Sequence, residues 1–330
     1  MNTSYEGTKN PMNQGHINKI VKRWIEPDRL VWVILAAIII FSTFASEFFT
    51  STRNLKNVFF IQPIGLGLAS LGQAFVVISG GIDLSAGAAI SFMSCMAAGV
   101  MKSFPNISPP LVILLFIFMG AGIGAVNGFI VVKLRVTPIM ATLATMNILN
   151  GLTLFYTKRT IGGVPAAFRF ISDGRIFGIP FSIIWFLTVL IVCYLLLNKN
   201  KLGKYIYSVG SDAEVSSLSG INVALIKFLA FVIGGALVGL AAAFLTARLG
   251  GGGPRIGAFY EITVISAIVI GGISLAGGVG SLFCAVGGVL ILTVFANIMN
   301  LTDLNPYTQV VFQGLLLITA VGFYSKQRIG

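Results

Sequence analysis

Few residues in this chain are of types that do chemistry. The single histidine, His16, lies in a polar N-terminal stretch, so no nucleophile–histidine pair can form inside a core. Cys95, Cys193 and Cys284 stand far apart within apolar runs, with no CxxC or Cys/His spacing, and read as small buried hydrophobes. No G-x-x-x-x-G-K-[ST] fingerprint occurs. The run Gly250-Gly251-Gly252-Gly253-Pro254 lacks the lysine and the preceding strand that a phosphate loop needs. The expectation is therefore no catalytic residue, no metal and no cofactor. Any work the chain does must be powered from elsewhere.

What remains is two acids at the edges of apolar runs, Asp83 and Glu261. A carboxylate at the centre of a bilayer costs about 2.5–3.5 kcal/mol on insertion scales. It is tolerated where it faces a wet cavity, meets a partner or caps a helix. Around Asp83 the sequence reads S-G-G-I-D-L-S-A-G. Gly80 and Gly81 can end one helix, Ile82 can turn, and Asp83 can cap the next through the N–H groups of Ser85 and Ala86. The stretch thus reads as a helix break carrying its own cap. It is either a tight turn at the membrane surface or a deeper break that lines a pathway. Glu261 opens a later apolar run as an ordinary N-terminal charge.

The elements that must hold these residues follow from composition. The chain has 330 residues, of which 56% are hydrophobic and only 10% charged, with mean hydropathy +0.94. A soluble domain carries about 25% charged residues, so lipid must be the solvent for much of this surface. The net charge of +12 is then membrane topology rather than nucleic-acid binding. Ten apolar runs are long enough to cross a bilayer, at about 30–49, 58–79, 85–101, 111–132, 138–156, 179–198, 226–247, 261–275, 280–299 and 307–324. This predicts an all-α polytopic membrane protein. A tail over 1–29 precedes a membrane domain over 30–324, and a second tail follows over 325–330. With ten crossings, 13 of the 22 Lys and Arg residues fall on the side of the termini and 9 on the other. The positive-inside rule then puts both termini in the cytoplasm.

Within the runs, Gly120, Gly124 and Gly128 repeat the G-x-x-x-G spacing, and Gly234, Gly235 and Gly239 offer a second small face. Such faces let helices approach closely. Gln73, Asn127, Asn147 and Asn150 are polar side chains in apolar surroundings. Each suits interhelical bonding, and some, with Phe75 or Phe92, could line a path for a hydroxyl-rich solute. The longest internal connection, about 199–225, predicts a loop with a two-turn helix at about 212–219. Ser211 and Glu214 form its capping box, Asp212 and Glu214 sit at its positive end, Val215 and Leu218 share a face, and Ser219-Gly220 closes it. It is either a solvated turn or a docking helix. Finally, Gly80–Gly87 echoes Gly271–Gly278, a trace of internal duplication.

Four stretches, in this order and spacing, then carry a resemblance: L-G-Q-A-F-V-V-I-S-G-G-I-D-L-S-A-G at 71–87, A-V-N-G-F-I-V-V-K-L-R-V-T-P-I-M-A-T-L-A-T-M at 125–146, L-G-K-Y-I-Y-S-V-G-S-D-A-E-V-S-S-L-S-G-I-N at 202–222 and Y-E-I-T-V-I-S-A-I-V-I-G-G-I-S-L-A-G-G-V-G-S at 260–281. Over nearly its whole length the chain resembles the membrane permeases of ribose-type ABC sugar importers. Ala86 departs from the common G-I-D-L-S-V-G, a conservative change. The resemblance implies a multi-pass subunit of the bacterial cytoplasmic membrane that moves a monosaccharide or similar polyol inward. It also implies a cytoplasmic ABC ATPase, a second permease subunit (identical or homologous) and a periplasmic or lipid-tethered sugar-binding protein as partners, with membrane lipid around them. The segment Ser211 to Asn222 becomes the coupling helix that the ATPase grips. A rival reading makes Asp83 the proton or sodium site of an ion-coupled transporter. A third, a membrane enzyme acting on lipid-linked sugars, lacks converging carboxylates or metal ligands.

Overall fold

The computed structural model describes residues 27–305 together with 308–315, 318, 319 and 322. His16, most of the tail at 1–29, all of the tail at 325–330 and 7 of the 18 residues of the predicted tenth run at 307–324 lie outside these, as do the termini whose side the charge bias predicts.

Thirteen α-helices are present among the described residues: α1 (Pro27–Ala45), α2 (Thr52–Phe60), α3 (Gln62–Ile78), α4 (Ala86–Ser103), α5 (Pro109–Lys133), α6 (Pro138–Tyr156), α7 (Ala166–Asp173), α8 (Phe181–Tyr194), α9 (Lys201–Ser211), α10 (Ala213–Leu218), α11 (Val223–Leu249), α12 (Tyr260–Ile270) and α13 (Leu282–Leu301). A π-helical turn, Leu195–Lys199, continues α8. Among the described residues strand is confined to two-residue pieces, β1 (Ile161–Gly162), β2 (Arg175–Ile176), β3 (Ile179–Pro180) and β4 (Gly251–Gly252), pairing antiparallel as β1–β4 and β2–β3.

Among the described residues, seven helical stretches are long and apolar enough to cross a membrane, and there are two shorter apolar ones, Arg29–Ala45 and Tyr260–Ile270. Pro63, Pro109 and Pro138 stand in first turns, where their missing N–H costs nothing.

Close backbone approach organises the centre. α11 packs against α5 on one side and α3 and α4 on another. A Cβ at Gly120 or Gly124 would strike the carbonyls of Gly235 and Phe231, and one at Gly239 that of Phe116. Gly72 and Gly234 make the same contact between α3 and α11, at 2.6 Å from a Cβ on Gly72 to the Gly234 carbonyl. The predicted small faces are therefore real seams. Van der Waals contact between close backbones is what holds helices where lipid is as apolar as leucine. α3 is buried along almost its whole length, while α5 keeps Leu111, Phe118, Val126 and Phe129 exposed, as a lipid-facing helix should. Cys95, Cys193 and Cys284 are buried and not disulfide-bonded.

The eighth predicted run is only partly helical. α12 has 11 residues, about 16 Å at 1.5 Å per residue, against a hydrocarbon core of about 30 Å. The segment between α11 and α12 makes up the difference by lying against α4. A Cβ at Gly252 would meet the Ser94 carbonyl, and one at Gly257 the Gly87 carbonyl. Irregular backbone survives at such depth only when its polar groups are paired inside the protein. Here Gly253 N–H donates to Ser94 Oγ at 3.3 Å and Gly257 N–H to Ser91 Oγ at 3.0 Å.

Candidate functional site: two helix breaks, a handle and a cleft

α3 ends as its sequence predicts. Gly80 has φ +82°, with its N–H on the Val77 carbonyl and the Gly81 N–H on Val76, both at 2.9 Å. This is the paired closure in which a left-handed glycine satisfies the last carbonyls. α12 ends the same way: Gly272 has φ +91°, its N–H reaches Val269 at 2.8 Å and Ile273 N–H reaches Ile268 at 2.9 Å. The geometric echo therefore pairs Gly80 with Gly272, one position from the Gly80–Gly271 alignment of the residue strings. α10 closes likewise at Gly220, φ +80°, with Gly220 N–H on Ser217 and Ile221 N–H on Ser216.

Asp83 is 4% exposed and sits in a buried polar network. Its Oδ1 accepts from Ser85 N–H at 2.7 Å and from Ser85 Oγ–H at 2.6 Å. This is an Asx turn leading into α4, not the cap of α4 itself. The residue at the cap position is Ser85, and the Ala86 N–H donates no bond to Asp83. Asn127 Nδ2 on α5 donates to Ser85 Oγ at 2.9 Å, leaving its own Oδ1 buried without a partner. With its amide oriented to satisfy both atoms, Gln73 on α3 donates to the Asp83 carbonyl at 3.2 Å and accepts the Asp83 N–H at 3.1 Å. Thr142 on α6, which no local motif marks, accepts from Leu84 N–H at 3.1 Å, and its one proton lies between the Pro138 carbonyl at 2.9 Å and the Ile82 carbonyl at 3.2 Å. The break is thus tied to three neighbouring helices.

The connection after α8 is more helical than expected. Its first half forms α9, whose Gly203, Ile206 and Val209 are buried at three-residue spacing. The predicted two-turn helix is α10. Its cap is Asp212 rather than Ser211: Asp212 Oδ1 accepts from Glu214 N–H at 2.9 Å and Val215 N–H at 3.0 Å, while Ser211 ends α9. A serine pair, Ser208 Oγ to Ser216 Oγ at 2.8 Å, locks α9 to α10. Val215 and Leu218 project outward, 57% and 84% exposed, with Glu214 and Ser219 also exposed. Beside α10 lies a cavity of about 660 Å³ lined by Gly80, Arg135, Thr137, Ser217, Ile221 and Lys227.

Three segments meet at the base of this handle. The Ile78 carbonyl accepts from Gly278 N–H at 2.9 Å, joining the two breaks. Gly210, near the end of α9, lies between them: a Cβ there would strike the Ile78 carbonyl and come within 2.7 Å of the Gly278 nitrogen. Gly277 and Gly278, both at positive φ, lie against Gly80, Gly210 and Ser211.

At the other end of α4 a cleft of about 1,020 Å³ opens between α6 and the segment before α12, with Asn150, Thr153, Lys158, Arg159, Pro254 and Arg255 among its walls. Asn150 is thus placed in a cavity, and Asn147 is exposed on the same helix. Phe75 is fully buried in the bundle, and Phe92 is half-buried. Among the described residues no cluster of His, Cys, Asp or Glu could hold a metal ion.

The model of the family described as branched-chain amino acid transport system / permease component matches residues 57–321. The chain belongs to this family. Among similar permeases, the ribose import permease protein RbsC of Bacillus subtilis is 34% identical over 281 residues, covering 81% of this chain and 87% of that protein. The galactose/methyl galactoside import permease protein MglC of Salmonella typhimurium is 31% identical over 313 residues, covering 89% and 93%. The L-arabinose transport system permease protein AraH of Escherichia coli is 34% identical over 278 residues, covering 80% and 82%. No solved structure gives a significant match. As a permease, the chain is a transport component and not an enzyme.

Proposed function

We propose that this permease moves a monosaccharide or similar polyol inward across the bacterial cytoplasmic membrane, as the membrane subunit of an ABC importer. The observation that carries the reading is the contact of Gly210 with both helix breaks. An external force on α10 reaches α3 and α12 through α9 at one point. A partner ATPase gripping Val215 and Leu218 would supply that force on ATP closure, and the glycine breaks would absorb the backbone change. The names of the relatives support a sugar as cargo.

The cleft containing Asn150 is then half of the pathway's external mouth. α6 packs against α4 and α5 and leaves Met140, Asn147 and Ile148 exposed, a face that a second permease subunit, identical or homologous, would cover. A periplasmic or lipid-tethered binding protein delivers the solute, so the pathway itself need hold it only weakly. Both termini are cytoplasmic in this arrangement. The Asp83 carboxylate is engaged by Ser85 within a turn, which suits a structural hinge better than an open ion site.

Co-purification of the tagged chain from its native host tests the reading. An ABC ATPase should accompany it. Insertion of one residue within 211–220 should abolish sugar-stimulated ATP hydrolysis with the membrane fold intact. Uptake by the chain alone, collapsed by an uncoupler, overturns the proposal.

A further inference from the structure

A second cavity, of about 520 Å³, lies at the end of the molecule away from the handle. Three cations, Arg53 and Lys56 of α2 and Arg175 of β2, line it, and Phe48, Ile61 and Leu301 supply apolar wall. No carboxylate is among its lining residues, and none of the three cations forms a salt bridge among the described residues. Three like charges are brought together from segments about 120 positions apart in sequence. Among the described residues no carboxylate lines the pocket as a counter-charge, so the charge that fits it comes from outside its walls.

Depth decides which anion fits. α3, Gln62–Ile78, has 17 residues, about 26 Å at 1.5 Å per residue and close to the hydrocarbon core of about 30 Å, and the nine residues of α2 precede it across the break at Ile61. α2, with Arg53 and Lys56, therefore projects into the headgroup layer, while Ile61 stands near the acyl boundary. Directly before them Phe44 and Phe48 are 86% and 72% exposed, continuing the exposed Ile40 and Phe41 of α1. An apolar track thus runs from the bilayer up to a cationic pocket. The pocket is held in shape by a reciprocal amide pair between α2 and α13, Asn54 Nδ2 to Asn297 Oδ1 at 3.0 Å and Asn297 Nδ2 to Asn54 Oδ1 at 2.9 Å.

We infer that this pocket binds the headgroup of an anionic phospholipid, with Arg53, Lys56 and Arg175 on the phosphate and the acyl chains along Phe44 and Phe48. Cations at the headgroup layer attract anionic lipid over short range, and guanidinium groups suit phosphate oxygens.

Native mass spectrometry of the full-length permease released from nanodiscs containing equal phosphatidylglycerol and phosphatidylcholine tests this. Wild type should retain phosphatidylglycerol at least five-fold over phosphatidylcholine. Raised salt should erode that preference only in part, because the site is partly enclosed. The triple variant Arg53→Gln, Lys56→Gln, Arg175→Gln should lose the preference at an unchanged thermal midpoint. Should the triple variant fail to fold, the wild-type preference and its competition by added lipid decide the matter. Inorganic phosphate and glycerol phosphate serve as headgroup-only probes, and displacement of lipid by either at millimolar concentration would overturn the lipid assignment in favour of a free anion. Equal retention of both lipids by wild type would also overturn it. So would a triple variant that keeps its lipid preference while losing association with a binding protein.

Discussion

The Gly278 amide donates to the Ile78 carbonyl at 2.9 Å, and Gly210 fills the space against both. That single bond links the end of α3 to the loop after α12, two breaks 200 residues apart in sequence. Gly210 leaves no room for a Cβ. Gly210→Ala should therefore separate the breaks, lower stability by about 1–3 kcal/mol as overpacking does, and reduce coupled ATP hydrolysis at least ten-fold. Gly220→Ala is the control. Its φ of +80° brings backbone strain of about 1–2 kcal/mol but no neighbour within 4 Å. It should soften α10 and leave the breaks joined. Thermal unfolding in detergent and ATPase assays in proteoliposomes distinguish the two, and equal effects on coupling would remove the special role of Gly210.

The exposed apolar side chains of α10 predict a different phenotype. Leu218 is 84% exposed on a short capped helix, so Leu218→Asp should cost the isolated permease almost nothing. It should nevertheless abolish co-purification of the ATPase, because the loss falls on an interface anchor. Asp212→Ala removes the bonds to the Glu214 and Val215 amides and should cost about 1 kcal/mol of helix. Its coupling defect should be partial. An unchanged ATPase yield with Leu218→Asp would exclude α10 as the handle.

The Asp83 turn separates a structural carboxylate from an ion site. Asp83→Asn keeps an acceptor for Ser85 and should retain more than half of sugar uptake. Asp83→Ala leaves Ser85 N–H and Oγ–H unpaired in a buried network, a loss of about 1–3 kcal/mol per orphaned group, and should lower the thermal midpoint. If uptake instead vanishes with Asp83→Asn at unchanged stability and is uncoupler-sensitive in wild type, Asp83 carries an ion.

Local signals were legible where one residue type solves one backbone problem. Gly120, Gly124 and Gly128, the closure at Gly80 and the closure at Gly220 all follow from sequence, because close approach and positive φ exclude other side chains. Assignments slipped by one position where two polar residues compete for the same amides, as with Ser211 and Asp212, or where the glycine strings of the two breaks align at the wrong register. Asp83 reads as a cap and forms an Asx turn for the same reason: Ser85 lies two residues on, and its N–H and Oγ–H donate to the carboxylate. Thr142 was invisible, since nothing local marks a threonine that bonds a segment about 60 residues away. The eighth run reads as merely short because hydropathy scores apolar side chains, and the extended stretch before it is written in glycine.

That extended stretch gives the last prediction. Gly257 packs on the Gly87 carbonyl and within 3.0 Å of the Ile90 Cβ, measured from an ideal Cβ, and its N–H depends on Ser91 Oγ. Gly257→Ala must push the segment off α4. It should break the Ser91 bond at a depth where water cannot replace it, for a combined cost of about 2–4 kcal/mol. The same displacement would distort the cleft wall at Pro254 and Arg255, so sugar uptake should fall more steeply than the thermal midpoint alone explains. Gly122→Ala on α5 provides the comparison. Nothing lies within 4 Å of its Cβ position, and alanine in a helix interior is favoured over glycine by about 0.5–1 kcal/mol. That variant should be neutral or slightly more stable, with normal uptake. Solute uptake measured in proteoliposomes beside thermal unfolding decides the point: a Gly257→Ala protein with wild-type stability and transport would mean that the segment is not held against α4 in the working state.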